Sequence, residues 1–247
     1  MQILSWRKFL LSGLLLCQLT QMSYAGPPFF TDDPQPVDFR HWEYYISSIN
    51  SFQQCSWTGT SPHAEVNYGL IPNVQVHLIV PMNYNYNGHQ HADFGYADTE
   101  VGMKYRFIQE TKDLPQIGTF PIVELPTVKN STFSSGRTQI YLPVWAQKSW
   151  GKFTTYGGVG YWINPGTNNK NWTFTGWEAQ YDLSPVVTFG AEIYHRSADI
   201  IGSKSSTALN FGGLINAGKT THFIFSLGHS LANTSILSCY VGLQWTI

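Results

Sequence analysis

Charge is scarce in this chain. Asp, Glu, Lys and Arg make up 12% of its 247 residues, about half the usual share for a soluble domain. The two signs nearly cancel, at a formal net charge of -1, so no basic footprint points to nucleic acid. Long apolar runs are also missing. The most apolar stretch, Phe9 to Cys17, falls well short of the ~20 residues a membrane-spanning helix needs. Aromatic residues, at 15%, and glycines, at 22, are plentiful instead. That balance fits a transmembrane barrel with an apolar outer wall girdled by Tyr and Trp, and it fits a secreted β-sandwich equally well.

The first residues read as an export signal. Trp6-Arg7-Lys8 gives a short positive start, the apolar run has the length of a signal core, and Ser23-Tyr24-Ala25 is a small-x-small cleavage site. Residues 1–25 are therefore expected to be removed, with the mature chain starting at Gly26. A lipid anchor on Cys17 is disfavoured because Leu16 precedes it, where such a site wants a small residue. Roughly 220 residues remain, the size of one domain.

Alternation of apolar and polar residues decides the fold class. From Asp98 to Phe107, Asp98, Glu100, Lys104 and Arg106 share one face, while Thr99, Val101, Met103, Tyr105 and Phe107 share the other. A period of two is a strand; a helix of period 3.6 cannot sort these residues so. Candidate strands run over 41–54, 62–71, 73–83, 94–108, 117–126, 137–148, 152–163, 172–182, 186–196, 206–216, 221–229 and 235–246. That is about twelve, an even number as in bacterial single-chain barrels. Outward sets such as Val74, Val76, Leu78 and Val80, or Leu237, Val241, Leu243 and Trp245, hold no charged residue. A charge there would cost a few kcal/mol at mid-bilayer.

The connections alternate in length. Pro72-Asn73, Ser149-Trp150-Gly151, Leu183-Ser184-Pro185 and Ala217-Gly218-Lys219 carry turn chemistry. Longer polar stretches lie between them: Asn83 to Asp93, Thr127 to Gly136, Asn164 to Asn171 and Ser197 to Ser205. Gln109 to Gln116 is rather long for the short-turn side. The pattern predicts an all-β fold: a transmembrane antiparallel β-barrel of about 12 strands, with short periplasmic turns and longer external loops. Residues 26–40 form a Pro-rich N-terminal segment and residues 41–247 the barrel. A lipocalin-like soluble barrel is the alternative.

The mature start, Gly26 to Tyr45, resembles a family of bacterial outer-membrane proteins named for a "MetA-pathway of phenol degradation". Glu65 to Pro81, Ala97 to Phe107, Phe120 to Thr127, Leu142 to Gly151 and Gly157 to Gly166 are similar to that family in the same order. The resemblance implies a barrel akin to the long-chain fatty-acid and aromatic-hydrocarbon transporters, a Gram-negative outer-membrane location and no catalytic residue.

Inward charges are the candidates for function: Glu65, His77, Asp98, Glu100, Lys104, Arg106, Glu124, Glu178 and Glu192. They could line a solute path, or brace the lumen as ion pairs. With the turn centred near Lys112, Glu124 is expected to face Glu100, the repulsion being relieved either by one carboxyl taking up a proton or by Lys104 reaching between the two. Pro27, Pro28, Pro34 and Pro36 rule out a regular helix or interior strand for the N-terminal segment. It is expected either to fold into the periplasmic mouth as a plug, burying Phe29 and Phe30 and presenting Asp32 and Asp33 to lumen cations, or to remain a mobile tail. Export permits a disulfide, and Cys55 and Cys239 fall near the ends of strands that a closed barrel makes neighbours. His89, His91 and Asp93 share a loop, but a lone H-x-H is poor metal chemistry, so neither metal nor cofactor is expected. His195 and Ser197 are the nearest approach to a wall-mounted lipid hydrolase, without an orienting partner. The expected partners are the lipid bilayer, the barrel-insertion machinery and a small solute, hydrophobic or aromatic. A structural or surface-binding barrel that transports nothing is the second reading.

Overall fold

The computed structural model describes residues 27–87, 92–128, 133–233 and 235–247. Fourteen strands form one antiparallel sheet: β1 (Trp42–Gln53), β2 (Ser56–Ile71), β3 (Val74–Tyr86), β4 (Asp93–Tyr96), β5 (Thr99–Ile108), β6 (Gln116–Thr119), β7 (Ile122–Leu125), β8 (Gln139–Trp150), β9 (Phe153–Ile163), β10 (Trp172–Asp182), β11 (Val187–Arg196), β12 (Ser206–Asn216), β13 (Thr221–Ala232) and β14 (Leu237–Thr246). β4 and β5 both pair with β3, and β6 and β7 lie between β5 and β8, so each pair is one interrupted stave. β1 pairs with β14. The result is a closed barrel of twelve staves, in which the short β4 is paired on one side only.

Alternation sets the two surfaces. On β8, Leu142 and Val144 are exposed on the outside, while Tyr141, Trp145 and Gln147 are buried on the inside. On β14, Val241 and Leu243 are outside and Ser238, Tyr240 and Gln244 inside. The exposed large residues of the wall are apolar staves' outer faces, and the buried set includes Asn67, Gln75, Gln116, Gln147, Glu178, Glu192 and Asn210. Polar within and apolar without is the reverse of a soluble fold and suits a lipid surround. The described residues contain no helix.

Loop length segregates largely as expected, but two connections at the long-loop end are short: β1–β2 and the four-residue β13–β14 link, 233–236. The β1–β2 connection lies at the long-loop end, yet it is a tight turn at Gln54 and Cys55, whose φ values are 47° and 68°. Residues 55–61, read as a loop, largely extend β2 instead, with Phe52 opposite Trp57 and Ile49 opposite Thr60. Two successive positive φ values suit a hairpin turn that usually calls for Asn or Gly; neither is present, so no turn signal stood in the sequence. At the opposite end, the seven-residue link 109–115 is held down by Lys148, which pairs with Glu110 at 3.2 Å and donates to the Thr111 carbonyl.

The same hairpin separates the cysteines. Cys239 pairs with Asn50, five residues before Cys55. At about 3.4 Å per residue that is some 17 Å along the strand, far beyond the ~7 Å Cα separation a disulfide tolerates. Both thiols are free, Cys55 exposed at the turn and Cys239 part-buried in the wall.

Candidate lumen site

Residues 27–40 run inside the barrel, from the β11–β13 wall to the β2–β5 wall. Ser226 donates to the Pro28 carbonyl at 2.7 Å. Glu192 accepts from the Phe30 amide at 3.2 Å and from the Thr31 amide. Lys104 then donates to Asp32 at 2.9 Å and to Asp33 at 3.2 Å. Gln116 donates to the Gln35 side chain, and the Val37 amide donates to Gln75 at 2.8 Å. Four prolines leave this stretch few amides of its own, so wall side chains satisfy those that remain. Two glycines make the close approach possible. The Thr31 hydroxyl fills the place a Cβ would take at Gly176, and the Asp38 carbonyl does the same at Gly69.

The expected cation partner of Asp32 and Asp33 is therefore Lys104 of the wall. This overturns the placing of Lys104 between Glu100 and Glu124. Those two carboxylates do stand opposite each other in the β5–β7 register, but Lys104 lies four residues along β5 and its ammonium turns to the N-terminal segment. Glu100 is engaged instead by His77, at 3.0 Å. Of the two phenylalanines, Phe29 is buried, whereas Phe30 is 46% exposed within the lumen and packs on Tyr194 at 5.1 Å.

One wall of the lumen is acidic and hydrogen-bonded. His77 sets Nδ1 2.7 Å from Asn67 Oδ1 and Nε2 3.0 Å from Glu100. Asn67 donates to Glu65 at 2.8 Å. Glu43 accepts from Tyr45 at 2.8 Å and from Gln244 at 2.6 Å. Glu43 was absent from the candidate set, although its parity against Trp42 and Tyr44 puts it inside. A cavity of about 100 Å³ lies between this wall and the N-terminal segment, lined by Asp32, Asp33, Glu43, Glu65, Lys104 and Phe120 among others. Five carboxylates line it, those of Asp32, Asp33, Asp38, Glu43 and Glu65, with the one ammonium of Lys104. Asp33 is fully buried, and burial raises its carboxyl from 3.8 to about 7 although Lys104 opposes the shift.

The other wall is aromatic. Tyr141 stacks on Trp162 at 4.8 Å, Trp162 on Trp172 at 5.3 Å, and the Arg196 guanidinium covers Trp172 at 4.4 Å. Phe174 stacks on Tyr194 at 5.7 Å. Phe120 marks where the walls meet, with the His77 ring edge-on at 5.0 Å and the Lys104 ammonium over its face at 5.0 Å.

The remaining candidates are dispersed. Asp98 sits in the break between β4 and β5 and accepts from the Ser135 amide and hydroxyl at 2.8 and 2.7 Å, so it pins a loop. Arg106 is at the short-turn end, on Asn73 and Gln116. Glu178 and Glu192 are neighbours across β10 and β11. His195 bonds Thr207 at 2.8 Å on the outer face, while the Ser197 hydroxyl accepts from the Thr173 amide, so the two are not paired with each other. His89 and His91 lie outside the described residues.

The fold is similar to the COG4313 outer membrane channel from Pseudomonas putida F1, at 11% identity and a TM-score of 0.65, covering 91% of this chain and 100% of that one. It is also similar to the NanC porin, at 12% identity and a TM-score of 0.57 over 82% of this chain and 98% of that one. The KdgM porin in complex with disordered oligogalacturonate is similar at 10% identity and a TM-score of 0.56, over 81% and 98% of the two chains. No family model and no curated protein matches the sequence. At these identities the likeness is one of fold: an outer-membrane-type β-barrel.

Proposed function

We propose that this protein is a channel of the Gram-negative outer membrane for small solutes of apolar or aromatic character. The observation that carries the reading is the lumen itself: a closed barrel, apolar outside, crossed by a tethered segment that leaves a polar cavity of about 100 Å³ on one side and an aromatic wall on the other. A barrel with a merely structural role has no need of an interior divided in this way. The resemblance of stretches between Gly26 and Gly166 to an outer-membrane transporter-like family supports a transporting barrel. In this reading residues 1–25 are the cleaved signal, the short turns and the C-terminus face the periplasm, and residues 26–40 act as the plug. Glu65, His77, Glu100, Lys104 and Glu124 line the path, while Glu178, Glu192 and Arg106 brace it.

Planar-bilayer recording tests this. The purified protein is expected to give small conductance steps, enlarged several-fold when residues 26–36 are deleted and altered in ion selectivity by Glu100→Gln with Glu124→Gln. Inserted protein that stays silent both with and without the segment would overturn the reading.

A further inference from the structure

Pro27 lines the acidic cavity together with Glu43 and Thr246, which stand opposite each other across β1 and β14. The charges in that cavity do not balance. Lys104 is taken by Asp32 and Asp33. Glu65 has His77 at 3.5 Å, which it shares with Glu100. Glu43 has neutral donors only, from Tyr45, Gln244 and Asn67. The remaining basic side chain of the lining, His41, bonds the Phe39 carbonyl. Thr246 Oγ1, beside Glu43, is buried and has no hydrogen-bond partner. Carboxylates drawn out of water without a counter-charge are costly. Cleavage after Ala25 creates a cation next to this place. Gly26 becomes the first residue, and its α-amino group is positively charged near neutral pH. Covalent geometry holds that nitrogen within about 5 Å of the Pro27 Cα.

We propose that the α-ammonium of mature Gly26 occupies this cavity as its second cation, donating to Glu43 and to the Thr246 hydroxyl. Signal removal then does more than release the chain: it makes the group that fastens the N-terminal segment to the closing seam of the barrel. An ammonium brings three donors and a full charge, and its bonds to a carboxylate are of the strong, charge-assisted kind. A cavity of about 100 Å³ has room for it. In the precursor the same nitrogen is a neutral amide, so the tether is missing until processing is complete. The proposal rests on residues 1–25 being a cleaved signal, and on nothing about the solute.

The test uses the exported, processed protein in detergent. Mass spectrometry should find Gly26 as its first residue. Under a pulse of acetic anhydride, the Gly26 amine should react at least tenfold more slowly in the folded barrel than in urea. Glu43→Gln should restore most of that reactivity while keeping the heat-modifiable gel shift of a folded barrel. Charge is separated from size by two modified forms, made on the unfolded chain near neutral pH, where lysines stay protonated, and then refolded. Acetylation of the α-amine removes its charge; dimethylation keeps it. Hydrogen exchange at residues 28–34 should be at least fivefold faster in the acetylated form and close to the unmodified rate in the dimethylated one. A first residue other than Gly26, an amine equally reactive folded and unfolded, or an amine that Glu43→Gln leaves protected would overturn the proposal. So would equal exchange in the two modified forms, since size rather than charge would then be at work. None of these readouts uses conductance, so a failure of the channel reading shows separately.

Discussion

At the scale of residues, Asp33 and Glu192 decide how firmly the N-terminal segment is held. The Asp33 carboxyl binds its proton more tightly in place, at about 7, than in an unfolded chain, at 3.8. A group shifted upward favours the folded arrangement most below the lower value and loses that contribution as pH rises through the upper one. Seating of the segment is therefore expected to loosen between pH 4 and 8. Hydrogen exchange at residues 30–35, corrected for intrinsic rates, should be faster at pH 8 than at pH 5, and Asp33→Asn should abolish the difference. A flat wild-type profile would remove Asp33 as the cause. Glu192→Gln is nearly isosteric but gives up a charged acceptor for two amides. Hydrogen bonds to charged groups contribute about 1.5–3 kcal/mol each, so this variant should expose residues 28–34 to protease while the barrel stays resistant.

At the scale of elements, the segment docks because the wall has glycine where it touches. Gly176→Val puts side-chain carbons where the Thr31 hydroxyl lies. The barrel stave should survive, since valine suits a strand, but the segment should be displaced. Single-channel steps are then expected to approach those of the 26–36 deletion; wild-type steps would show that the contact is dispensable. The β1–β2 hairpin shows where local pattern runs out. Pro62 and the positive-φ Gln54 and Cys55 argue locally for a loop, yet the ladder continues past Pro62 with a register shift between Thr60 and His63. A bulge absorbs a proline that regular pairing cannot.

At the scale of the whole molecule, the barrel is held by closure and by the lipid its outer face demands. Val241 lies midway along β14 and Leu237 at its long-loop end, both facing outward. Val241→Lys should destabilise the barrel by about 2–4 kcal/mol in vesicles and Leu237→Lys by about 0–1, following bilayer depth. Chemical denaturation in lipid vesicles measures both; equal penalties would mean that the outer face does not sit across a bilayer as assigned.

Strand periodicity and turn residues alone specify the all-β class, the twelve staves, the inward and outward faces and the opposition of Glu100 to Glu124. These depend on a two-residue alternation and on chain order, which are local. The partners of the inward charges do not depend on local order. Lys104 meets Asp32 and Asp33 across 72 and 71 positions of sequence, and Glu192 meets Thr31 across 161. Only closure of the sheet and the course of the N-terminal segment through it bring those atoms together, because a ladder fixes which face a side chain takes but not what crosses the space in front of it.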